Sequence, residues 1–80
     1  MTESVYRALI ESVVYLATRE VPDDVEDDDV RVLESISAEL ASADHKEIEM
    51  LVTIAQSMRD STDDPARKEG FREFIENLTA

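Results

Sequence analysis

Residues 3–19 read ESVYRALIESVVYLATR, and this stretch decides the fold class. Its apolar residues fill about half of a helical wheel, which is wider than the usual apolar stripe of about 100°. We therefore predict a helix from Glu3 to Arg19 that packs between two other helices, or between one helix and a second molecule. Its apolar set is Val5, Tyr6, Leu9, Ile10, Val13, Val14, Leu16 and Ala17.

Three further amphipathic segments follow this helix. Pro22 ends it, because the residue before a proline disfavours the α region. Asp23 with Glu26, and later Asp44 with Glu47, have the spacing of a capping box and predict the starts of a second and a third helix. The loop of residues 61–64 precedes a fourth helix, which begins with an aspartate N-cap and a proline at its first position.

The apolar stripes of these segments are the predicted core. They comprise Val25, Val32, Leu33, Ile36 and Leu40 in the second helix, then Ile48, Leu51, Val52, Ala55 and Met58 in the third, and Phe71, Phe74, Ile75 and Leu78 in the fourth. Gly70 weakens the fourth helix by about 1 kcal/mol. No Gly or Pro separates the second and third helices, so one continuous helix is an alternative. We predict an all-α, compact antiparallel bundle of three or four short helices, forming a single domain over residues 1–80.

The charge of the chain excludes several functions. Its 80 residues include 20 Asp and Glu and 8 Lys and Arg, a formal net charge of −12. This excess repels nucleic acid and acidic lipid, and nucleic-acid binding needs clustered basic residues, which here are dispersed. No apolar run has membrane-spanning length, and the N-terminus lacks the basic start of a signal peptide. We expect a cytoplasmic protein without a membrane or direct nucleic-acid partner.

Catalytic and metal-binding patterns are also missing. The chain has no Cys, one His and one Gly, so it offers no activated thiol and no glycine-rich phosphate loop. His45 and Glu49 share a helix face, but two ligands are too few for a metal site. Counting an EF-hand loop from Asp23 puts Val25 at a ligand position and Asp28 where the turn needs Gly. We predict no enzyme activity, no cofactor and no metal.

Two families of small acidic helical proteins are similar in size and charge. Acyl carrier proteins are marked by an Asp-Ser-Leu triplet, and no serine of this chain stands in one. Colicin-type immunity proteins resemble the chain in size, charge and helix content, although none of their sequence motifs occurs here. That likeness implies a stoichiometric binder of a basic protein.

The leading hypothesis is an acidic module that binds or inhibits a basic protein, as an immunity protein, antitoxin or nucleic-acid mimic does. Rows of carboxylates steer association and occupy sites built for phosphate. The predicted partner-binding residues are Asp23, Asp24, Glu26, Asp27, Asp28, Asp29, Glu34, Glu39 and Tyr15. Tyr15 falls opposite the apolar stripe of the first helix, and its alternative role is to cover a neighbouring helix.

Two other readings of the sequence remain open. Two lysines among so many acids are typical of a salt-adapted protein, whose charge says nothing about partners. The broad apolar faces also fit a homodimeric adaptor, with Tyr6, Ile10, Val14, Met50 and Ile54 as its interface. The alternative for these five residues is ordinary packing inside the bundle.

Overall fold

The computed structural model describes residues 3–80, which form four helices and no strand. The helices are α1 (Glu3–Thr18), α2 (Asp23–Leu40), α3 (His45–Asp60) and α4 (Pro65–Thr79). The predicted all-α bundle of short helices is confirmed, with four members. Residues 41–44 leave the helical path, so the alternative of one continuous helix across α2 and α3 does not apply.

The starts of α3 and α4 follow the predicted capping chemistry. The Asp44 carboxylate accepts a hydrogen bond from the Glu47 backbone N–H at 2.9 Å. At α4, the Asp64 carboxylate accepts from the Ala66 N–H at 3.0 Å, and Pro65 occupies the first turn. Each cap satisfies an N–H that has no partner inside its helix.

The start of α2 differs from the prediction. Pro22 is its N-cap, and among residues 3–80 no side chain caps this helix. The Glu26 N–H donates to the Pro22 carbonyl at 2.9 Å, which places Asp23 already inside the first turn. The predicted capping box of Asp23 and Glu26 is therefore wrong, since Asp23 does not occupy the cap position.

The core is built by α1, α3 and α4. Its buried apolar residues are Tyr6, Ile10, Val14, Leu51, Ile54, Ala55, Met58, Phe71 and Phe74. Ile54, which is not in the predicted core stripe of α3, is 3 % exposed, whereas Ile48 and Val52 of that stripe are half-buried. The core face of α3 is thus rotated slightly from the predicted stripe.

Four of the five residues predicted for a dimer interface belong to this core. Tyr6, Ile10, Val14 and Ile54 are at most 7 % exposed, because helices of the same chain cover them. This corrects the interface prediction in favour of ordinary packing. Met50, at 48 % exposure, is the member that stays on the surface.

Gly70 lies where α4 crosses α1. A Cβ atom at this position would lie 2.8 Å from Val14 Cγ1 and 2.8 Å from Thr18 Cγ2, so the two helices approach as closely as they do because this residue has no side chain. Beside it, Arg67 Nη2 donates to Glu11 Oε1 at 2.7 Å across the same helix pair. The glycine that weakens α4 as an isolated helix is thus what allows α4 to pack on α1.

α2 stands apart from this core. Within Asp23–Leu40 no apolar side chain is buried, and the helix packs mainly on α1 while touching α3 and α4 little. Its predicted core stripe is at most half-buried, and Val32 is 47 % exposed. The prediction that this stripe enters the core is wrong, because periodicity identifies an apolar face but not what covers it.

Candidate interaction surface

The first turns of α2 and the loop before it carry a cluster of exposed carboxylates. We call this cluster the acidic surface; its members are Glu20, Asp23, Asp24, Glu26, Asp27 and Asp28, all exposed. Five of the six were predicted from the sequence. Glu20 was missed, although its position two residues before Pro22 places it beside the start of α2.

The acidic surface keeps most of its charge because five of the six arginines pair with carboxylates outside it. Each arginine in residues 3–80 has a carboxylate partner: Arg7 with Glu3, Arg19 with Asp29, Arg31 with Asp28, Arg59 with Asp60, Arg67 with Glu11, and Arg72 with Glu69 and Glu76. Only Asp28 among these partners belongs to the acidic surface. Its pair with Arg31, at 3.7 Å between highly exposed side chains, offsets little charge.

Asp29 departs from the run of acids around it. Arg19 donates from Nε to Asp29 Oδ2 at 2.8 Å and from Nη2 to Oδ1 at 2.7 Å, and Asp29 is 7 % exposed. These hydrogen bonds lower the pKa of the Asp29 carboxyl against the opposing effect of desolvation. This corrects the prediction of Asp29 as a partner-binding residue. It is the point at which the end of α1 holds α2.

The other predicted partner-binding residues lie on the surface. Tyr15 is 60 % exposed, and the Arg19 guanidinium carbon lies 5.4 Å from the centroid of its ring. Glu34 and Glu39 are exposed further along α2, and neither has an ion-pair partner within residues 3–80. Tyr15 thus points outward, next to the pair that anchors α2.

An apolar groove of about 470 Å³ separates α2 from α4. α2 reaches the rest of the molecule at the Arg19–Asp29 pair and at Leu40, which packs against the core. These contacts are eleven residues apart on α2, or about 16 Å along a helix that rises 1.5 Å per residue. The groove begins at Leu33 and continues past Leu40 to Ala43. Its apolar lining includes Val13, Leu33, Ile36, Ile48, Phe74 and Leu78.

The sequence carried a signal for this groove. Leu33, Ile36 and Leu40 belong to the predicted core stripe of α2, and Phe74 and Leu78 to that of α4. The two stripes face a common space without meeting. The apolar spacing in the sequence identifies the residues that line the groove, but it does not predict the distance between α2 and α4.

Metal-ligating side chains do not converge in the described part of the chain. No three of its His, Asp or Glu residues are placed to hold a metal ion. None of the helices in residues 3–80 is both long and apolar enough to cross a bilayer. The chemistry available on this surface is charge and apolar contact.

The chain matches no known protein family, no curated protein and no solved structure. The features that bear on its function are the acidic surface and the groove between α2 and α4.

Proposed function

We propose that this chain is a small interaction module that binds a basic protein stoichiometrically, as an inhibitor, immunity protein or nucleic-acid mimic does. The observation that carries the proposal is the acidic surface, which stays exposed while every arginine in residues 3–80 is paired within the molecule. In this role the chain acts in the cytoplasm and catalyses nothing.

The physics of α2 supports such a role. Carboxylates close together on a folded helix produce a negative field with fixed geometry, which raises the association rate of a basic partner. The N-terminal end of a helix also favours negative charge, so Asp23, Asp24 and Glu26 in the first turn of α2 are tolerated there without internal partners. A partner whose lysines and arginines normally contact phosphates would meet a comparable arrangement of negative groups.

The test is a tagged pull-down from a lysate of the source organism in about 0.1 M and about 0.5 M salt. The higher salt shortens the distance over which such charges attract a partner. We expect one basic protein in near-equal amount, with less recovered at the higher salt. The variant Asp24→Asn, Asp27→Asn, Asp28→Asn should slow association with that protein.

A matched control changes the same amount of charge away from α2. The variant Glu49→Gln, Asp60→Asn, Asp63→Asn removes three exposed carboxylates from α3 and the following loop. It should bind like the unmodified chain. Equal losses in the two variants, or recovery of no basic protein, would contradict a role for the acidic surface.

The hypothesis that the acidic residues are a salt adaptation predicts a different result. If the charge serves to hold water and cations, the chain should lose helical circular dichroism in dilute buffer and regain it in molar KCl. A salt-independent helical spectrum together with a basic partner would favour the interaction module.

A further inference from the structure

We propose that the groove between α2 and α4 receives an amphipathic helix of the partner, which buries its apolar face in the groove and directs its lysines or arginines to the surrounding carboxylates. This inference rests on the proposed function, because that function supplies the basic character of the partner. It adds the place and the mode of binding.

The first argument is the uncovered apolar surface. α2 has an apolar face, yet within Asp23–Leu40 no apolar side chain is buried. Leu33 and Ile36 face Phe74 of α4 across a space of about 470 Å³, within the range of about 300–1,000 Å³ that is usual for ligand pockets. The chain therefore exposes an apolar lining that its own helices do not cover.

The second argument is shape. The groove has one helix on each side and α1 at its floor, where Val13 and Ala17 contribute to the lining. Its lining on α2 runs from Leu33 to Leu40, a separation of seven residues or about two helical turns. A helix with apolar side chains at positions i, i+3 or i+4, and i+7 presents a stripe of that length, which is how helices bind in grooves.

The third argument is charge. Among the described residues that line the groove, Glu73 is the one with an ionisable side chain. On α2, Glu26 precedes Leu33 by seven residues and so lies on the same side of the helix. Carboxylates thus border an apolar floor, which complements a helix with basic flanks. A second copy of this chain, itself at −12, would bring like charges together.

The experiment uses two fluorescein-labelled Leu/Lys peptides of about 18 residues and identical composition. One places its leucines at helical spacing, and the other alternates leucine with lysine and cannot form a single apolar helix face. Both feel the same charge attraction. We expect fluorescence anisotropy to show the helical peptide binding about tenfold tighter or more, with amide shifts in NMR centred on Leu33, Ile36 and Phe74.

Two variants locate the binding. Ile36→Gln should abolish the preference for the helical peptide, whereas Val32→Gln, an exposed apolar position on α2 outside the lining, should keep it. If Ile36→Gln impairs folding, Asn77→Trp obstructs the groove from the exposed face of α4 instead. Equal affinity of the two peptides for the unmodified chain, or a preference that survives Ile36→Gln and Asn77→Trp, would overturn the inference.

Failure of the groove and failure of the proposed function give different results. The variant at Asp24, Asp27 and Asp28 should weaken both peptides alike and reduce the salt dependence of binding. If it changes neither, the acidic surface has no role and the proposed function fails, whatever the groove variants show. A dimer seen in sedimentation equilibrium that Ile36→Gln dissociates would assign the groove to a second copy and overturn the inference.

Discussion

α2 is similar in length to the three core helices α1, α3 and α4, but it is held in the molecule by different contacts. The three core helices bury nine apolar side chains among themselves, while α2 buries one aspartate. The core therefore depends on apolar packing, whereas α2 is held by the Arg19–Asp29 ion pair, by Leu40 and by apolar side chains that are only half-buried. An amphipathic sequence is thus compatible with two outcomes, full burial in a core or an apolar face left beside a groove.

The largest expected effect is the loss of stability when a buried apolar side chain of the core is truncated, compared with the same truncation on α2. Phe71→Ala removes a fully buried ring and should cost about 3–5 kcal/mol. An 80-residue chain has a total stability of only about 4–12 kcal/mol, so this loss removes a large share of it and should lower the urea midpoint strongly. Leu33→Ala on α2, half-buried at the groove, should cost about 1 kcal/mol. Urea denaturation followed by circular dichroism measures both, and similar losses would contradict the distinction.

The next effect concerns the closest contact of the core. Gly70→Ala should destabilise the chain, because its Cβ would meet methyl groups of Val14 and Thr18 at 2.8 Å. Overpacking costs about 1–3 kcal/mol, and the better helix propensity of Ala returns up to about 1 kcal/mol. The urea midpoint should fall. A rise, as an exposed helical glycine would give, would show that α1 and α4 do not meet here.

A smaller and more local effect is expected at the attachment of α2. Asp29→Ala leaves Arg19 without its carboxylate and should speed amide hydrogen exchange in α2 by about tenfold or more, with α3 and α4 little affected. Asp28→Ala, which removes an exposed partner of Arg31, is the matched control and should change exchange little. Uniform acceleration across all four helices would mean that α2 unfolds with the core.

The same pair should make α2 sensitive to acid. Hydrogen bonds from Arg19 hold the pKa of the Asp29 carboxyl below its ordinary value of 3.8. Its contribution is therefore complete above that value and is lost as the pH falls through the lowered pKa. Amide shifts of α2 should change in this window below about pH 4. The pKa of Glu69 is also lowered, by Arg72, but this pair lies within α4. Asp29→Asn should therefore remove the change that the Arg19–Asp29 pair causes in the amide shifts of α2 and leave that of α4.

The smallest effect compares how two helices begin. Asp44→Ala removes the N-cap of α3 and should cost about 1 kcal/mol. Asp23→Ala removes no capping hydrogen bond and loses only a favourable charge near the start of α2, about 0.3–1 kcal/mol at low salt. Adding salt should reduce the second loss more than the first. A larger loss at Asp23 would restore the capping box for α2.

Local chemistry was enough to predict the helices and most of their ends. The prediction for α1 differs from the structure by one residue, and Asp64 with Pro65 marks the start of α4 as expected. These features depend on neighbouring residues, whose propensities and caps can be read in sequence. The failed capping box of Asp23 shows the limit, since the helix begins one residue earlier than the box predicts, with Pro22 at the cap position.

Features that depend on tertiary contact could not be predicted. Asp29 precedes Leu33 by four residues, so the spacing places it on the apolar side of α2, unlike the two aspartates before it. Its partner could not be read from the spacing, because that depends on where the end of α1 places Arg19. Gly70 was judged by propensity, although its role comes from the approach of α1. The candidate groove likewise depends on the distance between α2 and α4, which periodicity does not contain.

α2 lies between α1 and α3 in the chain but contributes almost nothing to the core they share with α4. While the core folds, residues 19–44 act mainly as a connection that must be closed. The entropy of such closure grows slowly, by about 0.6 kcal/mol for each doubling of length. Substitutions and even changes in the length of α2 are therefore tolerated by the folding reaction. If α2 carries the proposed recognition, that recognition can diverge in evolution while the remaining helices preserve the fold.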